Sequence, residues 1–267
     1  MVGMWKWGGG FLDTLAVPFH DFAGSTLIHS VGGWGGLAGA LLLGSRIGRN
    51  SNGKSKPIPG HSMPVATIGL FLLWLGWFGF SGASVGSANP EEVSRIVVMT
   101  TLAAASGAIG GYTLSLLLFK TNDLTLVLNG ILGSLVAITA GADQMNLTDS
   151  ITIGFIAGCL VVLGVKMDDH LRIDDPVGAL SAHLLCGVWG TLAVGIFGGR
   201  AGWDQLLSQL LGVAVVGGFS FTFALGLWYG LKVTIGIRPS KEEEEEGLDI
   251  NEHKMHAYPE INAFKTR

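Results

Sequence analysis

From residue 22 to residue 236 the chain is a succession of apolar runs broken by short polar loops. Seven runs can be marked, at about 22–44, 63–84, 93–119, 124–142, 150–166, 177–198 and 206–236. A helix needs about 20 mostly apolar residues, within a range of roughly 17–25, to cross a bilayer. The pattern therefore predicts an all-α membrane protein, a polytopic helical bundle of seven spans. Composition agrees, since only 13% of the 267 residues are charged, against about 25% in soluble domains. The 42 glycines suit helices that pack backbone to backbone in lipid, where small residues make the contacts.

Loop charges predict the orientation, because Lys and Arg favour the cytoplasmic side. Arg46, Arg49, Lys54 and Lys56 follow the first run, whereas the loop after the second holds two Glu and a single Arg. Lys120 follows the third, no base follows the fourth, and Lys166 and Arg172 follow the fifth. Arg200 alone follows the sixth, and Lys232, Arg238 and Lys241 mark the end of the seventh. The alternation places the N-terminus outside and a tail, 237–267, in the cytoplasm behind a transmembrane domain at 1–236. The net charge of −4 owes much to one stretch, KEEEEEG at 241–247, expected to be a solvated spacer. No basic cluster suited to nucleic acid is present, and the first residues carry no signal-peptide pattern. Cys159 and Cys186 lie in apolar runs and read as small core residues.

Two of the runs mirror each other. Asp21 precedes His29 by the same spacing at which Asp175 precedes His183. Glycines then follow in step: Gly33 with Gly187, Gly36 with Gly190, Gly44 with Gly198. By the loop charges the two copies cross in opposite directions, which is the mark of an inverted-repeat transporter architecture with a site near the midplane. Eight residues at about 1.5 Å each put either histidine about 12 Å from its own end. The hydrocarbon core is about 30 Å thick, so both should lie near its centre and be able to meet. Ionisable side chains at that depth are expensive and read as functional. Asp175 stands before Pro176, the arrangement of an N-cap with proline at the first helical position, and Asp21 reads as a cap by the repeat. His20, His61, His170, His253 and His256 fall in loops or the tail.

Three stretches, DFAGSTLIHSVGGWGGLAGALLLG, LLWLGWFGFSGAS and DDPVGALSAHLLCGVWGTLAVGIF, resemble signatures of the ammonium transporter family (Amt/Mep/Rh), in its prokaryotic Amt branch. The tail segment EGLDINEHKMHAY is similar to the cytoplasmic tail of that branch. The resemblance implies that His29 and His183 are the paired pore histidines and that Phe80 is an aromatic gate. It implies substrate binding at Trp7, Trp77 and Ser84, with Trp7 at an external cation site and Ser84 its hydroxyl partner. Ser81 stands where the family usually has Asn, and the stretch from Trp7 to Asp21 is longer than usual.

What the resemblance implies for mechanism is physically coherent. A desolvated cation is held by aromatic faces, each worth roughly 0.5–2 kcal/mol, and by a hydroxyl oxygen. A bare ion in an apolar lumen is far costlier. Ammonium would therefore lose its proton near the outer site, and ammonia would cross past imidazoles that each offer one donor and one acceptor. Potassium has no proton to give up. The resemblance further implies a homotrimer in the cell membrane, a P-II signal protein docking on the tail, no cofactor or metal, and no enzymatic reaction. Family members have about eleven spans built as an inverted pair, and this chain matches their C-terminal portion, so it is expected not to close a pore alone. Two rivals share the topology. A retinal protein needs a lysine midway along its last helix, and Lys232 lies near the end of the seventh run. A non-transporting ammonium sensor would keep the pore fold and signal through the tail.

Overall fold

The structure, a computed structural model, describes residues 1–51 and 54–259. The tail therefore extends past the described residues at 260–267. A one-turn helix, α1 (Val2–Lys6), precedes a long helix that opens as a π-helix at Ser25–Ser30 and continues as α2 (Val31–Leu43). Then come α3 (Met63–Ala83), α4 (Pro90–Phe119), α5 (Leu124–Ile138) and α6 (Leu147–Leu171). A second π-helix, Leu180–Leu185, leads into α7 (Cys186–Ile196), and α8 (Trp203–Thr234) completes the bundle. Two short helices, α9 (Lys241–Glu246) and α10 (Leu248–His253), lie in the described part of the tail. The only β-structure among the described residues is a two-residue antiparallel ladder, with Asn50 opposite Ser55 and Ser51 opposite Lys54.

All seven apolar runs are helical, but they are not equivalent. Ser25–Leu43, α3, α4, α6 and α8 are long and apolar enough to cross a membrane. Leu124–Ile138 and Leu180–Ile196 are shorter. The fourth run, expected to reach 142, leaves the helix after Ile138. The carbonyls of Thr139 and Ala140 instead accept the N–H groups of Ala23 and Phe22, at 3.0 and 2.9 Å. Those bonds dock the start of the His29 helix onto the end of α5.

Local signals account for the other boundaries. Asn89 accepts the Glu91 N–H ahead of α4, with Pro90 in the first turn, and Asn146 and Asp149 form a reciprocal capping box at the start of α6. Helices α4 and α6 stop at Lys120 and Arg172, both left-handed at φ 59°. Helices α4, α5 and α6 pack through small residues, and a methyl group at Gly130 would lie 2.7 Å from the Gly107 carbonyl oxygen. The apolar core is continuous from these helices to Trp77 on α3 and Cys186 on α7. Outside it, Val65, Ile68, Phe71, Leu72 and Leu75 of α3 are exposed, as befits a surface that meets lipid or other protein.

Candidate functional site

The site begins with two aspartates. The carboxylate of Asp21 accepts four backbone N–H groups, from Gly24 (3.0 Å) and Ser25 (2.8 Å) at one oxygen and from Thr26 (2.9 Å) and Leu27 (2.8 Å) at the other. Asp175 accepts from Ala179 at 2.9 Å and Leu180 at 2.6 Å. One detail of the expected cap is corrected. Pro176 is not at the first helical position, because Pro176–Gly178 form a bend and the π-helix starts at Leu180. The chain turns through Gly24 (φ 110°) and Gly178 (φ 76°), a left-handed backbone that glycine adopts without steric cost. That turn folds the following N–H groups back onto the carboxylate.

Both histidines lie within the π-helical openings, in STLIHS and LSAHLL. Single π turns inside α-helices are uncommon and frequent at functional sites. The N–H groups of Ile28 and His29 both point to the Gly24 carbonyl, at 3.1 and 3.0 Å. The two helices cross in contact at the glycines that follow the histidines. A methyl group on Gly33 would lie 2.6 Å from Leu184, beside His183, and one on Gly187 would lie 2.5 Å from the Ser25 carbonyl oxygen.

The crossing brings the imidazoles together, Nδ1 to Nδ1, at 3.2 Å. Such a bond needs one ring to carry a proton on Nδ1 and the other to present a lone pair there, so the two rings share a single Nδ1 proton between them. The rings are 19° from parallel with centroids 5.3 Å apart. His29 also stacks on Trp77, at 5.0 Å and 9°, and Phe80 leans on His29 at 5.6 Å and on Trp77 at 5.5 Å. The indole N–H of Trp77 donates to Thr139 Oγ1 at 3.3 Å, where the chain leaves α5. His29 Nε2 is buried and has no hydrogen-bond partner among the described residues. A cleft of about 290 Å³ opens beside the pair, lined by Ile28, Ala179, Leu180, Gly32, Gly33 and Gly36 as well as the two histidines. Apart from the imidazoles its walls are apolar side chains and glycine.

Trp7 and Ser84 occupy different surroundings. The Trp7 ring is half-exposed and its N–H donates to the Asp21 carbonyl at 2.9 Å, which ties the N-terminal segment to the start of the His29 helix. Ser84 closes α3 and its hydroxyl donates to the Phe80 carbonyl at 2.9 Å, leaving its lone pairs as acceptors.

Sequence reasoning passed over Gln205 and Gln209, a buried pair one turn apart in α8. Two amides at the start of the seventh apolar run were the available signal, by the same cost argument that singles out the histidines. It also left His20 without a role, whereas His20 Nε2 is 3.1 Å from Asp143 Oδ1. The reading of the acidic run is corrected at Glu244 alone. Glu243 caps α9 with Ser240, and Glu244 accepts the Ile47 N–H at 2.7 Å and the Arg238 guanidinium at 2.7–3.0 Å. Glu244 thus docks the tail, whereas Glu242, Glu243, Glu245 and Glu246 are exposed, as a solvated spacer requires.

The sequence pattern of the Ammonium Transporter Family matches residues 1–258. The chain belongs to the ammonium transporter family. It is a membrane protein of a transporter family, not an enzyme. It is 43% identical over 257 residues to a Synechocystis protein named for ammonium transport, covering 94% of this chain and 58% of that one. Against Amt2 of Archaeoglobus fulgidus it is 38% identical over 290 residues, covering 99% of this chain and 62% of the relative. Among solved structures it is similar to one named Sensor Amt Protein, with a TM-score of 0.89, 35% identity, and 94% and 65% of the two chains covered. Mep2 of Candida albicans superposes with a TM-score of 0.80 at 27% identity, over 91% of this chain and 57% of the other. The chain thus spans about three-fifths of the Synechocystis and Archaeoglobus relatives.

Proposed function

We propose that the chain contributes the histidine-lined part of a pathway that recruits ammonium, takes its proton and conducts ammonia across the cell membrane. The observation that carries this reading is the His29–His183 pair, 3.2 Å apart with His29 stacked on Trp77, beside an otherwise apolar cleft. A charged ion gains little from such walls, whereas ammonia can donate to one imidazole nitrogen and accept from the other. Phe80 acts as the gate above the pair. Trp77, Ser84 and Trp7 make up the outer recruiting site, with aromatic faces and the Ser84 lone pairs as its attractive groups. Asp21 and Asp175 hold the two histidine helices at their starts.

The domain division belongs to the same reading: a transmembrane domain over 1–236 and a cytoplasmic regulatory tail over 237–267, with the N-terminus outside. A homotrimer and a P-II signal protein on the tail complete it. Because the chain spans three-fifths of its relatives, closure of the pathway is assigned to additional protein, with residues equivalent to the remaining part of those relatives. Methylammonium accumulation tests this in cells that lack uptake of their own. The 267 residues alone should give none, and co-production with the N-terminal remainder of Archaeoglobus Amt2 should give uptake that His183→Ala lowers tenfold or more. Robust uptake by the chain alone would sink the closure hypothesis, and uptake indifferent to both histidines would sink the pathway itself.

A second reading is a non-transporting ammonium sensor, favoured by the likeness to the protein named Sensor Amt Protein. It predicts ammonium binding with no methylammonium accumulation under any of these conditions.

A further inference from the structure

Gln209 makes the full set of hydrogen bonds open to an amide, in a fully buried position. Its Nε2 donates to the carbonyls of His20 (2.6 Å) and Thr191 (2.9 Å). Its Oε1 accepts from the His20 N–H (2.8 Å) and from Gln205 Nε2 (2.9 Å). Gln205 in turn donates to the Pro18 carbonyl at 3.1 Å. A buried amide is costly unless all of this capacity is met, and here three of the four bonds come from the segments that carry the two histidines. His20 adjoins Asp21 at the head of the His29 helix, and Thr191 lies two turns beyond His183.

The bonds close into a ring. Thr191 Oγ1 and Thr26 Oγ1 are 2.6 Å apart, the Thr26 N–H donates to Asp21, and Asp21 is joined covalently to His20. We propose that Gln209 and the Thr26–Thr191 contact are positioning residues: a neutral brace that sets the register of the two histidine helices and so the bond between His29 and His183. The inference rests on the histidine-pair reading above. Its physical ground is a difference between two kinds of contact. The glycine crossing at Gly33 and Gly187 fixes how closely the helices approach, but van der Waals contact resists sliding weakly. An Nδ1···Nδ1 bond at 3.2 Å weakens steeply once distance or angle drifts. Directional bonds at a second point, one turn before His29 and two turns after His183, remove that freedom.

The test is solid-state NMR of the full chain in liposomes, labelled with ¹⁵N-histidine, reading the cross-peak between the two Nδ1 nitrogens. His183→Ala assigns the peak by abolishing it. Gln209→Leu should weaken it at least fivefold, and so should Thr26→Val, which keeps the shape of the side chain and serves if the glutamine variant does not fold. Thr26→Ser restores the hydroxyl and should restore the peak. Ser208→Ala, at a buried neighbour whose hydroxyl has no partner among the described residues, should leave it unchanged. A peak that persists in both Gln209→Leu and Thr26→Val overturns the brace, as does a Thr26→Ser variant that behaves like Thr26→Val. Absence of the peak in the unsubstituted chain overturns the histidine pair and the brace with it. Methylammonium uptake, measured on the co-produced protein, separates the two ideas: a failed transport reading with an intact, brace-dependent peak leaves the brace standing.

Discussion

Asp21 organises more backbone than any other side chain near the site. Its four acceptor bonds satisfy the N–H groups of residues 24–27, which would otherwise be orphaned at the start of a buried helix. Asp21→Asn replaces one acceptor oxygen by an amide group that faces donors. Each buried N–H left unpaired costs about 1–3 kcal/mol, so we expect a loss of about 3 kcal/mol or more, read by thermal unfolding in detergent. Trp77 separates into two contributions at the same scale. Trp77→Phe keeps a ring against His29 but removes the bond to Thr139, which should cost about 0.5–1.5 kcal/mol. Trp77→Ala removes the stack and opens a cavity, at about 3–5 kcal/mol, and should also halve or further reduce uptake by the closed pathway. Equal losses from the two substitutions would show that the stack carries no packing energy.

Between single residues and the whole bundle, the controlling feature is the crossing of the two histidine helices. Gly33→Ala and Gly187→Ala each force a methyl group into the opposing backbone, and overpacking of this kind costs typically 1–3 kcal/mol. Both should separate the imidazoles and lower uptake, whereas Gly35→Ala, with open space around its Cβ position, should do neither. An uptake deficit in Gly35→Ala equal to that of Gly33→Ala would assign the effect to helix flexibility instead. The paired glycines were legible in the sequence because a repeat in spacing is preserved however the backbone bends. The placement of the apolar helices was legible for a similar reason, since length and hydropathy are summed over many residues. The π turns around Ser25–Ser30 and Leu180–Leu185 were not, because no residue type marks them; they arise where a carboxylate captures N–H groups several positions ahead. The early end of α5 at Ile138 was equally hidden, since its cause is a contact with residues 22 and 23, far away in sequence. Family resemblance singled out Trp77 and Phe80, but their contact with His29 was not legible, because composition alone cannot distinguish a lipid-facing ring from an inward one.

At the scale of the whole molecule, the end of the bundle opposite the Gln209 brace is held by charge. Arg46 donates through its backbone N–H and its guanidinium to both oxygens of Asp174, at 2.8–2.9 Å. Arg49 reaches Asp174 at 3.4 Å and also pairs with Asp169. Glu244 of α9 takes the next amide, that of Ile47, and Arg238 binds Glu244 and the Leu43 carbonyl. The tail is thereby tied to the end of the His29 helix and, through Asp174, to the residue beside the Asp175 cap of the His183 helix. The hydrogen bonds from Arg46 are the main cause that holds the Asp174 carboxyl below the ordinary carboxylate range. A carboxylate depressed in the folded state stabilises it fully above its ordinary value of about 3.9, and the contribution disappears as pH falls through the lower folded value. Hydrogen exchange at the Arg46 and Ile47 amides should therefore show constant protection from about pH 8 to pH 5, and loss only below about pH 4. Arg46→Ala should lower that protection already at neutral pH, by about 1 kcal/mol, a figure discounted for the solvent screening of a guanidinium that is 38% exposed. Added salt should weaken the more exposed Arg238–Glu244 tie before the Arg46–Asp174 pair, whose carboxylate is only 3% exposed. Protection that begins to fall near pH 6 would point to a histidine rather than Asp174 as the group that holds the loop in place.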